Sequence, residues 1–144
     1  MSRTPPSNVW LLGDEIDTDV LAPGAYMQHG IDVIAQHCLE SVRPEFSANV
    51  KSGDIIVAGK NFGIGSSREQ AAGALVHLGI RAVIASSYSG LYFRNAFNLG
   101  LLLITCKEAA KLTDNAPIVI EWQGDQPTLL QACLLYTSPS PRDS

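Results

Sequence analysis

An α/β domain with a largely parallel central sheet is the fold class this sequence predicts, and two observations carry that reading. Three continuous apolar runs, Ile55-Ile56-Val57-Ala58, Ala82-Val83-Ile84-Ala85 and Leu101 to Ile104, have the length and unbroken hydrophobicity of strands buried on both faces. The segments between them carry apolar residues at helical spacing and stop at glycines. Strands alternating with helices at this interval make each helix a crossover between parallel neighbours.

The elements follow in chain order. Val9 to Leu12 is a short apolar run ended by Gly13-Asp14, and reads as a strand. Asp14 to Gly30 is loop-like, with Asp14, Asp17, Asp19 and Pro23. Ile31 to Leu39 places Ile31, Ile34, Ala35 and Cys38 on one helical face. Gly53-Asp54 punctuates the entry to the strand Ile55–Ala58, and the glycine-rich stretch Gly59 to Gly65 follows it. The next helix has two candidate capping boxes, Ser66 with Glu69 and Ser67 with Gln70. Ala71, Ala74, Leu75 and Leu78 then repeat at i, i+3, i+4 and i+7, and Gly79 supplies the stop. After the strand Ala82–Ala85, Leu91 to Leu99 is a helix closed by Gly100. Lys107 to Leu112 reads as a short helix and Ile118 to Trp122 as a final strand. No internal repeat or linker divides residues 1–132, which are expected to form a single domain.

The last twelve residues, Cys133 to Ser144, read CLLYTSPSPRDS. They follow no helical or strand period, are rich in serine and proline, and resemble a translated sequencing adapter. They are set aside as an artefact expected to be disordered, which implies a native C-terminus cut short.

Composition narrows the function classes. A net charge of −4 over 144 residues offers no basic surface for nucleic acid. Met1 to Ser7 has no signal-peptide core, and no stretch approaches the roughly 18 apolar residues of a membrane span. A cytoplasmic location is expected. Cys38, Cys106 and Cys133 form no C-x-x-C pair, so neither a metal site nor a disulfide framework is expected. His29, His37 and His77 are scattered and read as surface or packing residues.

The chemistry concentrates in Lys60-Asn61-Phe62-Gly63-Ile64-Gly65-Ser66-Ser67-Arg68-Glu69, between a buried strand and a helix start. Free N–H groups and the positive end of the helix dipole favour an anion there. Gly63 and Gly65, with Ile64 between them, let the backbone turn tightly and approach a ligand. Arg68 offers a planar fork for a carboxylate, and two serines add hydroxyls. Competing motifs fail. Arginine stands where the third glycine of G-x-G-x-x-G belongs, and no acid lies about twenty residues on. Gly59-Lys60 is followed by Asn61, which breaks the Walker pattern, and G-x-S-x-G is absent. On residues alone, a small carboxylate or phosphate site stays open beside a plainer reading, in which a serine caps the helix and Arg68 pairs with an acid.

The run Lys60 to Ala71 resembles the signature of the aconitase swivel-domain family, which includes the isopropylmalate dehydratase small subunits. Gly13-Asp14-Glu15-Ile16-Asp17-Thr18-Asp19-Val20-Leu21-Ala22-Pro23 is similar to a second signature of that family, and Arg94-Asn95-Ala96-Phe97-Asn98-Leu99-Gly100-Leu101 to a third. The matches lie in the family's order from about Val9 to Cys106. The resemblance implies a swivel fold, a β/β/α barrel-like domain that closes over a [4Fe–4S] cluster held by a large subunit. It implies a hydro-lyase, active only with that partner, that moves a hydroxyl between adjacent carbons of a di- or tricarboxylate. Interconversion of 2- and 3-isopropylmalate, in leucine biosynthesis, is the expected reaction. Homoaconitate, dimethylmalate or citraconate-like acids are the alternatives within the family, and a stand-alone anion-binding module is the alternative outside it.

By position in the motifs, the resemblance makes Ser66 the catalytic base and Ser67, Arg68 and Asp19 substrate-binding residues. Tyr26, Met27 and Gln28 fall in the loop that reads the substrate side chain. Gln70 stands where the family often has histidine. Tyr88, Tyr92, Phe93 and Phe97 read as core or interface aromatics, and Arg94, Asn95 and Asn98 as structural hydrogen-bonding residues.

Overall fold

The computed structural model describes residues 2–3, 6–65, 68–123, 126–131 and 134–137. Four strands, β2 (Ser7–Leu11), β3 (Ile55–Ala58), β4 (Ala82–Ala85) and β5 (Leu102–Thr105), lie side by side in sequence order, each parallel to the next. Leu11 faces Val57, Val57 faces Ile84 and Ile84 faces Ile104 across the ladder. The predicted strands agree with these within two residues at each end.

The chain steps through these strands in one direction. Right-handed crossovers therefore put every connecting helix on the same face. The first crossover holds α1 (Thr18–Leu21), α2 (Ile31–Gln36) and α3 (Phe46–Asn49). The second and third hold α4 (Gln70–His77) and α5 (Gly90–Asn98). Strand side chains alternate. Ile56, Ala58, Val83, Ala85 and Leu103 pack into the helical layer with Leu21, Ile34, Phe46, Leu75 and Tyr92. Val9, Ile55, Val57, Ala82, Ile84 and Ile104 face the other way.

That second face carries no α-helix among the described residues, and the sheet covers it by curling. β6 (Pro117–Gln123) pairs antiparallel with β2, and its Ile118 and Ile120 join Val9, Ile55 and Val57, with Ala109 and Leu112 from a 3-10 turn at Ala109–Lys111. β7 (Gln126–Gln131) and β8 (Leu134–Thr137) extend the antiparallel half, and β1 (Ser2–Arg3) pairs with β6. The result is a curled half-barrel, parallel from β2 to β5 and antiparallel from β6 onward, with the helices packed on one face of the parallel half.

Four local expectations need correction. The helix predicted over Lys107–Leu112 is only the 3-10 turn. Asp14–Gly30 holds α1 and a 3-10 turn at Gly24–Tyr26, because Asp17 caps α1 by accepting from the Val20 N–H at 2.8 Å. The second-crossover helix starts at Gln70, not at either serine box. Its N-cap is Glu69, with no side-chain cap, and the Ala71 and Ala72 N–H groups donate to the Arg68 and Glu69 carbonyls at 3.0 and 3.1 Å. The helix thus opens on a backbone turn at Arg68-Glu69. Finally, β6 is not the last strand, because β7 and β8 follow it. Leu-Leu-Tyr-Thr suits a strand, and the open edge of β7 offers it a ladder. Residues 138–144 lie outside the described set.

Arg43 ties the first crossover to β2. Its Nε donates to Glu45 Oε2 at 3.1 Å, and its Nη1 donates to the Leu11 carbonyl at 3.1 Å and to Asp114 Oδ1 at 3.2 Å. Its guanidinium also lies 4.9 Å from the centre of the Trp10 ring.

Candidate functional site

The loop after β2 and the loop after β3 are laced together, continuing the parallel ladder beyond the sheet. Lys60 N–H donates to Asp14 Oδ1 at 2.9 Å, Glu15 N–H to the Lys60 carbonyl at 2.7 Å, Gly63 N–H to the Ile16 carbonyl at 2.7 Å and Thr18 N–H to the Ile64 carbonyl at 2.9 Å. On the other side Phe62 bridges to Tyr88, donating to the Ser87 carbonyl at 3.0 Å and accepting from Ser89 at 2.9 Å. The first two sequence signatures therefore form one body at the C-terminal ends of the strands, where open α/β sheets bind ligands. Gly63 and Gly65 adopt φ of +83° and +107°, the left-handed region. A Cβ on Gly63 would overlap the Tyr92 ring, so this glycine also seats the loop against α5.

The three turn aspartates separate by their wiring. Asp14 holds Lys60 and Asp17 caps α1, whereas Asp19 reaches the serine–arginine loop. Arg68 Nη1 donates to Asp19 Oδ1 at 2.9 Å and to the Ala22 carbonyl at 3.1 Å, and Asp19 Oδ1 also accepts from the Gly24 N–H at 2.9 Å. The Arg68 hydrogen bond, helped by the Gly24 N–H, holds the Asp19 carboxyl below the usual aspartate value. Both Nη1 protons are engaged. Nε and Nη2 make no hydrogen bond among the described residues, and together they form the side-on edge of the guanidinium that takes a carboxylate in two parallel bonds. The pairing of Arg68 with an acid is therefore real, yet it leaves a binding fork intact. Ser66 and Ser67 lie outside the described residues.

Tyr26 and Met27 are half-buried against the helical core and Gln28 is exposed. Tyr26 stacks on His37, ring centres 3.7 Å apart and 6° from parallel, while His37 Nδ1 lies 2.7 Å from Glu40 Oε1. The partnership of Tyr26 with His37 is invisible in the sequence, since nothing in a spacing of eleven residues joins a 3-10 turn to a helix end. His29 and His77 are exposed. Arg94, Asn95 and Asn98 make no side-chain hydrogen bonds among the described residues, so the structural bonding expected of them is not found; Arg94 and Asn98 face solvent instead.

Among the described residues, the cysteines form no ligand set for an iron–sulfur cluster. Cys38 lies in the helical core and Cys106 in the core on the opposite face of the sheet, so the two cannot reach one cluster. Burial pushes the Cys38 thiol up to about 12, away from the thiolate a metal needs. No group of three or more His, Cys, Asp or Glu with metal-binding geometry occurs among the described residues.

The family description "Aconitase C-terminal domain" matches residues 21–109. The chain belongs to that family. Among curated aconitase-family relatives, 3-isopropylmalate dehydratase small subunit 1 of Archaeoglobus fulgidus is 48% identical over 115 residues, 79% of this chain and 71% of the relative. The methanogen homoaconitase small subunit of Methanothermobacter thermautotrophicus is 50% identical over 111 residues, 76% of this chain and 65% of the relative. The chain thus spans about two thirds of the length of these relatives. The crystal structure of 3-isopropylmalate dehydratase from Methanocaldococcus jannaschii superimposes with a TM-score of 0.86 at 34% identity, covering 94% of this chain and 81% of that one. The swivel-domain fold implied by the signatures is therefore the fold of this aconitase-family chain.

Proposed function

We propose that this chain is the small subunit of a hydro-lyase that interconverts 2- and 3-isopropylmalate with an iron–sulfur large subunit, in cytoplasmic leucine biosynthesis. The observation that carries the reading is the Nε–Nη2 edge of Arg68, next in sequence to Ser66-Ser67 and without a partner among the described residues, while Nη1 is fixed by Asp19 and Ala22. That edge grips a substrate carboxylate, and Ser67 adds a hydroxyl. Ser66 removes the proton from the carbon next to the one that loses its hydroxyl. The hydroxyl departs with its bonding pair as hydroxide while Ser66 holds the proton, a double bond forms between the two carbons, and readdition of both in the opposite sense completes the isomerisation. A serine hydroxyl is a feeble base alone. Here the cation of Arg68 and the N–H groups of Ile64 and Gly65 favour its alkoxide. A cluster held by the large subunit would supply the Lewis acid for the departing hydroxyl.

Substrate choice rests on the loop Gly24–Gly30. It carries no Lys or Arg, and neither does the chain onward to Val42. A third carboxylate would call for a cation there, whereas Tyr26 and Met27 offer apolar surface to an isopropyl group. Homoaconitate is the second reading, favoured by the relative at 50% identity. Reconstitution of the chain with the cluster-loaded large subunit should give turnover on isopropylmalate in preference to homoaconitate. Ser66→Ala should lower kcat about a thousandfold while the complex still assembles. Near-normal turnover of Ser66→Ala would remove the proposed base, and preference for homoaconitate would reverse the substrate assignment.

A further inference from the structure

Helix α5 leaves a surface that the site does not use. Tyr92 and Ala96 are buried on one side of this nine-residue helix. Phe93, Arg94 and Phe97 occupy an adjoining stripe, with Phe93 and Phe97 one turn apart. They line a groove of about 540 Å³ whose other wall is Ser86, Ser87 and Tyr88 at the C-terminal end of β4. The groove floor is rigid. The Tyr88 hydroxyl bonds the Val83 and Ile104 carbonyls at 2.9 and 2.6 Å, and Phe93 packs edge-on to Tyr88 with ring centres 5.8 Å apart. Phe97, by contrast, is 74% exposed. The Arg94 guanidinium makes no hydrogen bond or ion pair with any described residue.

We infer that the α5 groove is the anchoring contact for the large subunit, receiving an apolar side chain beside Phe97 and a carboxylate at Arg94. The inference rests on the small-subunit reading above. Two observations favour this occupant. The groove adjoins the serine–arginine loop: Asn61 N–H donates to Ser87 Oγ at 2.9 Å and Phe62 N–H to the Ser87 carbonyl, so the wall of one is the backbone partner of the other. A partner that completes the site must approach this same edge of the sheet. The chemistry also matches, because an exposed aromatic beside an unpaired arginine on a preorganised floor has the make-up of an interface hot spot.

The test uses the full chain and the large subunit from its own genome, cluster reconstituted, with affinity measured by sedimentation and activity titrated against the large subunit. Phe97→Glu and Arg94→Glu should each weaken association at least about tenfold, with kcat at saturating large subunit retained. Val76→Glu is the control. Val76 is 43% exposed near the C-terminal end of α4, whose following Gly79 carbonyl accepts from Gly53 at the opposite edge of the sheet, and it should change nothing. Unchanged affinity in both α5 variants, or an equal loss in Val76→Glu, overturns the inference. So does Phe97→Glu dissolving a homodimer while large-subunit binding stays intact. A wild-type chain that neither binds the large subunit nor supports turnover removes the small-subunit reading itself. Neutral Phe97→Glu and Arg94→Glu variants in an active complex remove only the groove.

Discussion

Arg43 and Arg68 are alike in burial and partners but opposite in what they leave available. Their side chains are 22% and 27% exposed, and each pairs with a carboxylate at about 3 Å. Arg43 engages Nε with Glu45 and Nη1 with Leu11 and Asp114, and lays its face over Trp10, so its side-on fork is broken. Among the described residues, Arg68 engages Nη1 alone. An ion pair by itself therefore does not mark an arginine as structural. The decisive feature is which nitrogens are committed, and Arg68 is braced at one corner with a complete carboxylate edge left over.

The widest separation between the two should come from swapping their chemistry. Arg68→Lys keeps the charge but removes the fork, and should lower kcat/KM about a hundredfold with the denaturation midpoint nearly unchanged. Arg43→Ala should do the reverse, costing about 2–3 kcal/mol in urea unfolding through lost hydrogen bonds, ion pairs and the Trp10 contact. Turnover per folded complex should stay near normal. If Arg68→Lys unfolds the chain, or Arg43→Ala silences the folded complex, the two arginines have been assigned the wrong way round.

A smaller effect sharpens the same contrast between site and scaffold. Gly63 and Gly100 share nearly the same backbone, with φ of +83° and +80°, but only a Cβ at Gly63 meets a neighbour, the Tyr92 ring. Gly100→Ala should cost about 1 kcal/mol, the left-handed penalty alone. Gly63→Ala should cost about 3 kcal/mol, the excess being overpacking against Tyr92. Equal losses would mean that Tyr92 yields easily and the serine–arginine loop is not seated on α5.

These residues also show where sequence reading succeeds and where it stops. The buried strands were legible because Ile55–Ala58 and Ala82–Ala85 are apolar on both faces, and both occur with the predicted ends. The loop was legible because two glycines at a strand end imply positive φ. The start of α4 was misjudged because a capping box is a local pattern, and the chain turns at Arg68-Glu69 before the helix begins at Gln70. Asp14, Asp17 and Asp19 look equivalent in sequence, since only the fold decides that Asp19 lies against an arginine 49 residues away. The curl of β6 over the second sheet face was likewise hidden, because Ile118 and Ile120 would read the same on a flat edge strand.

The smallest effect concerns the brace itself. Asp19 is 66% exposed, so its pair with Arg68 should contribute no more than about 0.5 kcal/mol after solvent screening. Its carboxyl is held below the ordinary value of about 3.9. The stabilisation is therefore fully present above that value and is lost as pH falls through the lower folded-state value. Asp19→Asn keeps an oxygen for Gly24 and Arg68 and removes only the charge. Melting curves of wild type and Asp19→Asn should differ slightly at pH 7 and converge toward pH 3. In the assembled enzyme the substitution should raise KM several-fold with kcat nearly unchanged, since the fork is less firmly aimed while the base is untouched. A fall in kcat matching that of Ser66→Ala would instead place Asp19 in the proton transfer. An unchanged KM would show that Ala22 alone is enough to aim the fork.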